Sequence, residues 1–336
     1  MRVARRALLT HKGGMRLAPL DFLTPADLPV PQDRPFSTAE ALDGLHDWRR
    51  LGAAVERGLL VQPLRGCYQL ATLPDTLQTR VASVRLVVPP DAVVCDRTAG
   101  WLHGAPMILA PGDHVVTPRV SVFVPVRGRR MRNGLMESGS RDLEARDIVE
   151  LDGLRVTSPL RTSCDLGRRL HRAQALAALD SMLRSGSVTR DEILDAVERF
   201  RGFRGVRRLR ELAPIADGRA ESPPESALRL TWLDCAELPR PDLQIEIPTP
   251  WGTCFRLDLG VPELAYAGEY DGPEWHGEER LVEDRERRAW IEAGAGWTID
   301  AFVAANVYGP TADADTRLRH GVRRALAARR SAWYCV

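Results

Sequence analysis

Lysine is all but missing from this sequence. Lys12 is the only one, so arginine carries nearly all of the basic charge. That skew follows from a GC-rich genome as readily as from a polyanionic partner, and by itself it excludes nothing. The six cysteines, Cys67, Cys95, Cys164, Cys235, Cys254 and Cys335, form no CxxC pair, and no histidine stands at zinc-ligand spacing. Neither a disulfide framework nor a structural zinc site is therefore expected. No apolar run is long enough to span a bilayer, and Ala7–Thr10 is too short for the core of a signal peptide. The expected setting is a reducing cytoplasm. Met15 is a second candidate start, which would leave residues 1–14 outside the fold.

What is present is the composition of a globular chain, 44% hydrophobic and 27% charged, with no low-complexity tract. A length of 336 residues exceeds one ordinary core and points to two or three domains. The net charge of +2 is unevenly spread, with residues 1–219 carrying +9 and residues 220–336 carrying −7. A basic front suits a polyanion and an acidic rear suits a site for cations, although surface charge also drifts without purpose.

The first organised stretch is Phe36 to Leu70. Ser37-Thr38-Ala39-Glu40 reads as a capping box opening a short helix to Leu42, followed by a turn at Asp43-Gly44. A second helix, Asp47–Arg57, stops at Gly58. Leu59–Gln62 and Cys67–Leu70 then form a ribbon about Arg65-Gly66. Two short helices and a ribbon are the pattern of a winged helix-turn-helix, with Arg49, Arg50 and Arg65 as its DNA contacts. A small helical cap with a hairpin is the plainer alternative.

Residues 75–215 read as a mixed α/β region. Ala92–Cys95 and Val120–Val126 are expected strands, and Val149–Val156 a hairpin about Asp152-Gly153. Helices are expected at Ala173–Arg184 and after a second capping box at Thr189. Two arginine clusters are candidate phosphate contacts: Arg127, Arg129, Arg130 and Arg132 on a loop, and Arg201 to Arg210, including Arg207 and Arg208, at a helix start. Each serves equally well as a solvated face or a subunit contact.

Ala216–Pro224 is short, polar and rich in Gly and Pro, which places a boundary there. A helix is expected from Pro223 or Pro224 to Glu237, then strands at Gln244–Ile247, Cys254–Leu259 and Leu264–Asp271. Period-two alternation puts Cys254, Arg256 and Asp258 on one face and Phe255, Leu257 and Leu259 on the other. It likewise groups Glu269 with Asp271, so neighbouring strands can aim Asp258, Glu269 and Asp271 at one point. Carboxylates so placed repel, and Mg²⁺ or Mn²⁺ is the usual remedy. Such an ion can activate water against a phosphodiester, with His276 as proton shuttle. Glu225 divides between that site and the capping box Ser222-Pro223-Pro224-Glu225.

Asp258, Glu269-Tyr270-Asp271-Gly272, His276, Asp284-Arg285, Arg288 and Gly296-Trp297 occur in a familiar order. In them the chain resembles the nuclease-like domain related to very-short-patch-repair endonucleases, within the PD-(D/E)xK superfamily. The front half resembles AbiEi-like antitoxins of type IV toxin–antitoxin systems. Phe36–Leu70 is similar to their winged helix, and Thr98–Gly104 and Thr157–Thr162 to segments of their second domain. The resemblance implies Asp258, Glu269 and Glu225 as metal ligands, with Asp271 completing the site. It departs from the superfamily at the lysine expected two residues after the glutamate, where Asp271 stands, and the repair-type relatives point to His276 or Arg288 as the substitute.

The expected architecture is thus multidomain α+β. It comprises an extension (1–35), a winged helix-turn-helix (36–72), an antitoxin-like α/β middle domain (75–215) and a restriction-endonuclease-like α/β domain (220–330). The leading expectation is a DNA-binding protein with a metal-dependent endonuclease-like domain. The alternatives are an antitoxin-type transcriptional regulator with an inactive nuclease-like domain, or a scaffold for a toxin of nucleotidyltransferase type. DNA against RNA, and monomer against oligomer, stay open.

Overall fold

The computed structural model describes residues 8–11, 14–17, 23–125, 134–272 and 278–333. The chain divides into two compact units, Met1–Leu102 with His114–Thr162, and His103–Asp113 with Ser163–Val336. Among the described residues no helix is long and apolar enough to cross a membrane.

In the first unit, β1 (Leu8–His11) and β2 (Gly14–Leu17) form an antiparallel ribbon. Next come β3 (Phe36–Ser37), α1 (Thr38–Leu45), α2 (Trp48–Glu56), β4 (Leu60–Leu64) and β5 (Cys67–Leu70), the strands pairing in the order β3-β5-β4. Ser37 caps α1 as expected: its hydroxyl accepts from Glu40 N at 3.2 Å, and the Glu40 carboxylate takes the Ser37 amide at 2.8 Å. The helix does not stop at Leu42. It runs through Asp43-Gly44 and ends where His46 turns left-handed at φ 72°. Gly44 is demanded by close approach rather than by a turn, because a Cβ there would sit 1.9 Å from the Pro29 carbonyl oxygen. Phe36, Leu45, Leu51, Leu60 and Leu70 close the core beneath.

The same unit continues with α3 (Leu77–Arg85), β6 (Val93–Val94), α4 (Asp96–Leu102), β7 (Val120–Pro125), β8 (Met136–Arg141), β9 (Ile148–Leu151) and β10 (Leu154–Thr157). The last five strands form one mixed sheet in the order β8-β7-β6-β10-β9. The β9–β10 turn has Asp152 at φ 46° and Gly153 at φ 75°, the left-handed pair that a two-residue hairpin requires. Thr98 and Thr157 are buried fasteners, with Thr98 Oγ1 accepting from Ser121 N at 3.0 Å and Thr157 Oγ1 lying 2.7 Å from that of Thr162.

Helix α5 (Pro159–Arg169) runs on into the second unit. That unit holds α6 (Arg172–Arg184), α7 (Arg190–Ala196), α8 (Val206–Leu212), α9 (Pro223–Asp234), β11 (Asp242–Pro248), β12 (Cys254–Val261), β13 (Tyr266–Tyr270), α10 (Glu278–Gly294), β14 (Thr298–Phe302), α11 (Ala304–Val307) and α12 (Ala314–Trp333). The strands pair in sequence order, antiparallel except for the parallel β13–β14 pair. The stretch 216–224 is tied to α6: Asp217 N donates to Asp180 at 2.7 Å, Arg184 to Ala220 O at 2.7 Å, and Arg229 of α9 to buried Asp180 at 2.7 Å.

Three local expectations fail here. Helix α9 ends at Asp234, not Glu237. Strand β13 begins at Tyr266, because Pro262–Leu264 make a 3₁₀ turn and Ala265 is left-handed at φ 49°. Leu257 and Leu259 do not share a face: Leu257 packs with Ala267, Ile291 and Ile299, whereas Leu259 packs with Trp232, Tyr266 and Leu318. The strand changes parity at Asp258, opposite Gln244, whose φ is 53° and whose neighbours Leu243 and Ile245 likewise enter different cores.

Candidate functional site

The parity change decides where the carboxylates go. Pairing of β12 with β13 runs from Val261↔Tyr266 to Leu259↔Gly268 and stops short of Asp258. There Asp258 Oδ2 accepts from Tyr270 N at 2.8 Å, so a side chain takes over from the ladder. Glu269, one residue earlier on β13, is 4% exposed. Glu225 approaches from the first turn of α9. Ser222 is the cap, accepting from Glu225 N at 3.3 Å, while the Glu225 carboxylate accepts from Glu221 N at 2.9 Å and Gln244 Nε2 at 3.2 Å. Glu225 thus serves the helix start and the cluster together.

Crowding of like charge shows in Asp258. Burial first, and then the negative fields of Glu225 and Glu269, push its carboxyl up to about 7, against the opposing Tyr270 amide and Arg287. Glu269 is compensated directly, for Arg287 Nη2 donates to Oε1 at 2.8 Å and to Oε2 at 3.1 Å. Arg288 Nη2 reaches Glu269 at 3.4 Å and Asp271 at 3.2 Å. Arg287 also donates to Arg256 O at 3.3 Å, and Arg256 pairs with Glu221 at 2.8 Å. The outcome is a network of five acids and three arginines supported by α9, β12, β13 and α10.

Asp258, Glu269 and Glu225 therefore come together, and Asp271 joins them only through Arg288, with its side chain 48% exposed. His276 lies outside the described residues. Sequence reasoning named Arg288 but missed Arg287, Gln244 and Glu221. With the lysine absent two residues along β13, it offered His276 or Arg288 in its place; the cations do come from α10, where Arg285, Arg287 and Arg288 were the available signal. A divalent ion needs three or more free oxygen donors converging at about 2.0–2.6 Å. Among the described residues no three His, Cys, Asp or Glu side chains are placed to hold one. The guanidinium groups neutralise the carboxylates where a metal would, and the arrangement as it stands does not fit Mg²⁺ or Mn²⁺.

The expected DNA contacts are divided between the units. On α2, Asp47 caps the first turn by accepting from Arg50 N at 2.8 Å. Leu51 and Ala54 face the core, and Trp48, Arg49, Gly52 and Glu56 face outward, with Trp48 64% exposed. Arg50 is half-buried. Arg65, at the β4–β5 turn, donates its amide to Pro118 O at 2.9 Å and Nη1 to Gly134 O at 3.2 Å. Arg127, Arg129 and Arg130 lie outside the described residues. In the second unit Arg207 is exposed on α8, whereas Arg208 is half-buried and donates to Leu170 O.

Comparison with known proteins adds two findings. A family model described as the AbiEi antitoxin C-terminal domain matches residues 92–215, a span that ends before the carboxylate cluster begins. Two Mycobacterium tuberculosis proteins, uncharacterized protein MT2308 of strain CDC 1551 and uncharacterized protein Rv2248 of strain H37Rv, are each 36% identical over 260 residues. The aligned part covers 77% of this chain and 91% of each relative.

Proposed function

Because this chain belongs to the family of the Mycobacterium tuberculosis proteins MT2308 and Rv2248, and carries an AbiEi antitoxin C-terminal domain over residues 92–215, we propose that it is a DNA-binding regulator of the antitoxin type. Residues 36–72 act in this reading as a winged helix-turn-helix, and residues 220–330 as a nuclease-like module without catalytic activity. The observation that carries it is α2, held by a buried face on a three-stranded sheet while Trp48 and Arg49 stay outside. A helix so mounted fits the major groove, and the ribbon turn at Arg65 fits the flanking phosphates. The Arg287–Glu269 pair supports the silent role of the rear module, since it occupies the carboxylate a metal would need. A toxin of nucleotidyltransferase type is the proposed protein partner, and the cytoplasm the proposed setting.

A second reading, a Mg²⁺- or Mn²⁺-dependent endonuclease, has one observation in its favour: Glu225, Asp258 and Glu269 do converge. One experiment separates the two. The full chain is incubated with DNA from upstream of its own gene, and with supercoiled and mismatched DNA, in the presence of either ion. The regulator reading expects a mobility shift without strand cleavage. Metal-dependent cleavage lost in both Asp258→Ala and Glu269→Ala would replace it with the nuclease.

A further inference from the structure

A second polar site lies further along α9, beside Arg229 and Leu233. The start of α7, the 214–219 turn that follows α8, α9 and the start of β11 enclose a cleft of about 240 Å³. Four arginines line it, Arg190, Arg219, Arg229 and Arg240, together with Asp217 and Asp242. Two of the four are already paired inside the protein. Arg219 binds Asp217 at 2.8 Å, and Arg229 binds Asp180 at 2.7 Å with its other terminal nitrogen on Ile215 O at 2.6 Å. The remaining two, Arg190 and Arg240, are exposed and hold no carboxylate among the described residues.

The wall has a further peculiarity. Arg229 is 4% exposed, and its Nε is buried with no acceptor among the described residues. A buried donor without a partner is destabilising, and an ordered water or an ion is a common remedy. Arginines converge on phosphate and carboxylate because the planar guanidinium donates two parallel hydrogen bonds. Asp242 stands exposed at the margin and disfavours a large polyanion. An adjoining hollow of about 290 Å³ shares Ile215, Leu233 and Arg240 and adds Trp232, Leu238 and Pro239, with Arg172 paired to Glu211 and Asp234 on its wall. Apolar side chains on one wall of that mixed hollow give an organic body attached to the anion a surface to lie on.

We propose that this cleft binds a small phosphomonoester, with Arg190 and Arg240 gripping the phosphate and the body lying along Ile215, Leu233 and Pro239. The site is independent of the DNA-binding reading, since its residues are not those assigned to DNA.

The test is calorimetric titration of the full chain with inorganic phosphate, uridine 5′-monophosphate and uridine. Wild type is compared with Arg190→Gln, Arg240→Gln and, as a control that lines neither hollow, Arg323→Gln. Saturable binding of the monophosphate is expected, weakened about tenfold by either of the first two substitutions and unchanged by the third. Uridine alone gives no heat of binding. Monophosphate binding tighter than phosphate supports the ester; equal binding overturns it in favour of the free ion. No saturable binding of either anion, or binding indifferent to both Arg190→Gln and Arg240→Gln, overturns the proposal. The two variants are surface changes, so thermal unfolding alongside distinguishes a lost site from a lost fold.

Discussion

Arg287 holds Glu269 from a single nitrogen, Nη2, at 2.8 Å to one carboxylate oxygen and 3.1 Å to the other. Because Glu269 is buried, removing the arginine leaves an uncompensated charge. Breaking a fully buried pair in this way costs about 3–5 kcal/mol. The Arg287 side chain is 26% exposed and Arg288 stays nearby, which reduces the expected loss for Arg287→Ala to about 1–3 kcal/mol. Adding Glu269→Gln removes the stranded charge and should return part of the loss. Urea unfolding of the single and double variants reads both effects, and an Arg287→Ala protein as stable as wild type would show that the pair is idle.

Asp258 makes stability depend on pH. Its folded pKa, pushed up to about 7 chiefly by burial, lies above the unfolded carboxyl value of about 3.9. Between those values the folded state binds more protons than the unfolded one, so stability falls as pH rises through the interval and levels off above it. Asp258→Asn removes the titration while its amide oxygen can still accept from Tyr270 N. Near pH ~4 variant and wild type should unfold alike, and near pH ~8 the variant should be more stable by about 1–3 kcal/mol, at about 1.4 kcal/mol per unit discounted for partial exposure. Parallel melting curves across that range would remove Asp258 as the source.

What could be read from the sequence was local. Ser37, Thr189 and Ser222 announce their helices because a capping hydroxyl acts within one turn, and Asp152-Gly153 announces its hairpin because two left-handed residues admit few alternatives. Asp258 and Glu269 were likewise legible as neighbours on adjacent strands. The errors arose wherever a distant residue decides. Gly44 looks like a turn until Pro29 is brought against it. Leu257 and Leu259 look alike until Gln244, on another strand, flips the parity. The lysine spacing along β13 is broken by Asp271, and of the arginines that α10 delivers only Arg288 was named, because no periodicity encodes the approach of Arg287.

Gly44 and Gly52 give a paired test of that account. Both sit within helices of the same small core, and helix propensity alone predicts that alanine at either would stabilise by up to about 1 kcal/mol. At Gly52 nothing lies within 4 Å of the added Cβ, so Gly52→Ala should show that gain. At Gly44 the Cβ would meet the Pro29 carbonyl oxygen at 1.9 Å, and backbone has no rotamer by which to yield. Gly44→Ala should lower the thermal midpoint and cost more than about 2 kcal/mol through overpacking. Equal midpoints for the two variants would mean that the Pro29 segment does not press on α1.

The same helix pair carries the sharpest test of DNA binding. Trp48 is 64% exposed and Arg49 stands beside it, so neither contributes much to the core, and alanine at either should change stability by no more than about 0.5 kcal/mol. Affinity should respond differently. Each phosphate neutralised contributes about −0.9 to the slope of log K against log salt. If Arg49 contacts phosphate, Arg49→Ala weakens binding on every sequence and makes the slope shallower by about 1; if it contacts a base edge, it weakens only the preferred sequence, by about 1–3 kcal/mol. Trp48→Ala should reduce affinity while leaving the slope alone, because it removes apolar contact and no charge. Arg65→Ala should have a smaller effect than Arg49→Ala, since its guanidinium already donates to Gly134 O. Titrations at low and physiological salt check all three. If Trp48→Ala and Arg49→Ala both bind as wild type does, α2 is not the recognition element and the DNA must be held elsewhere on the chain.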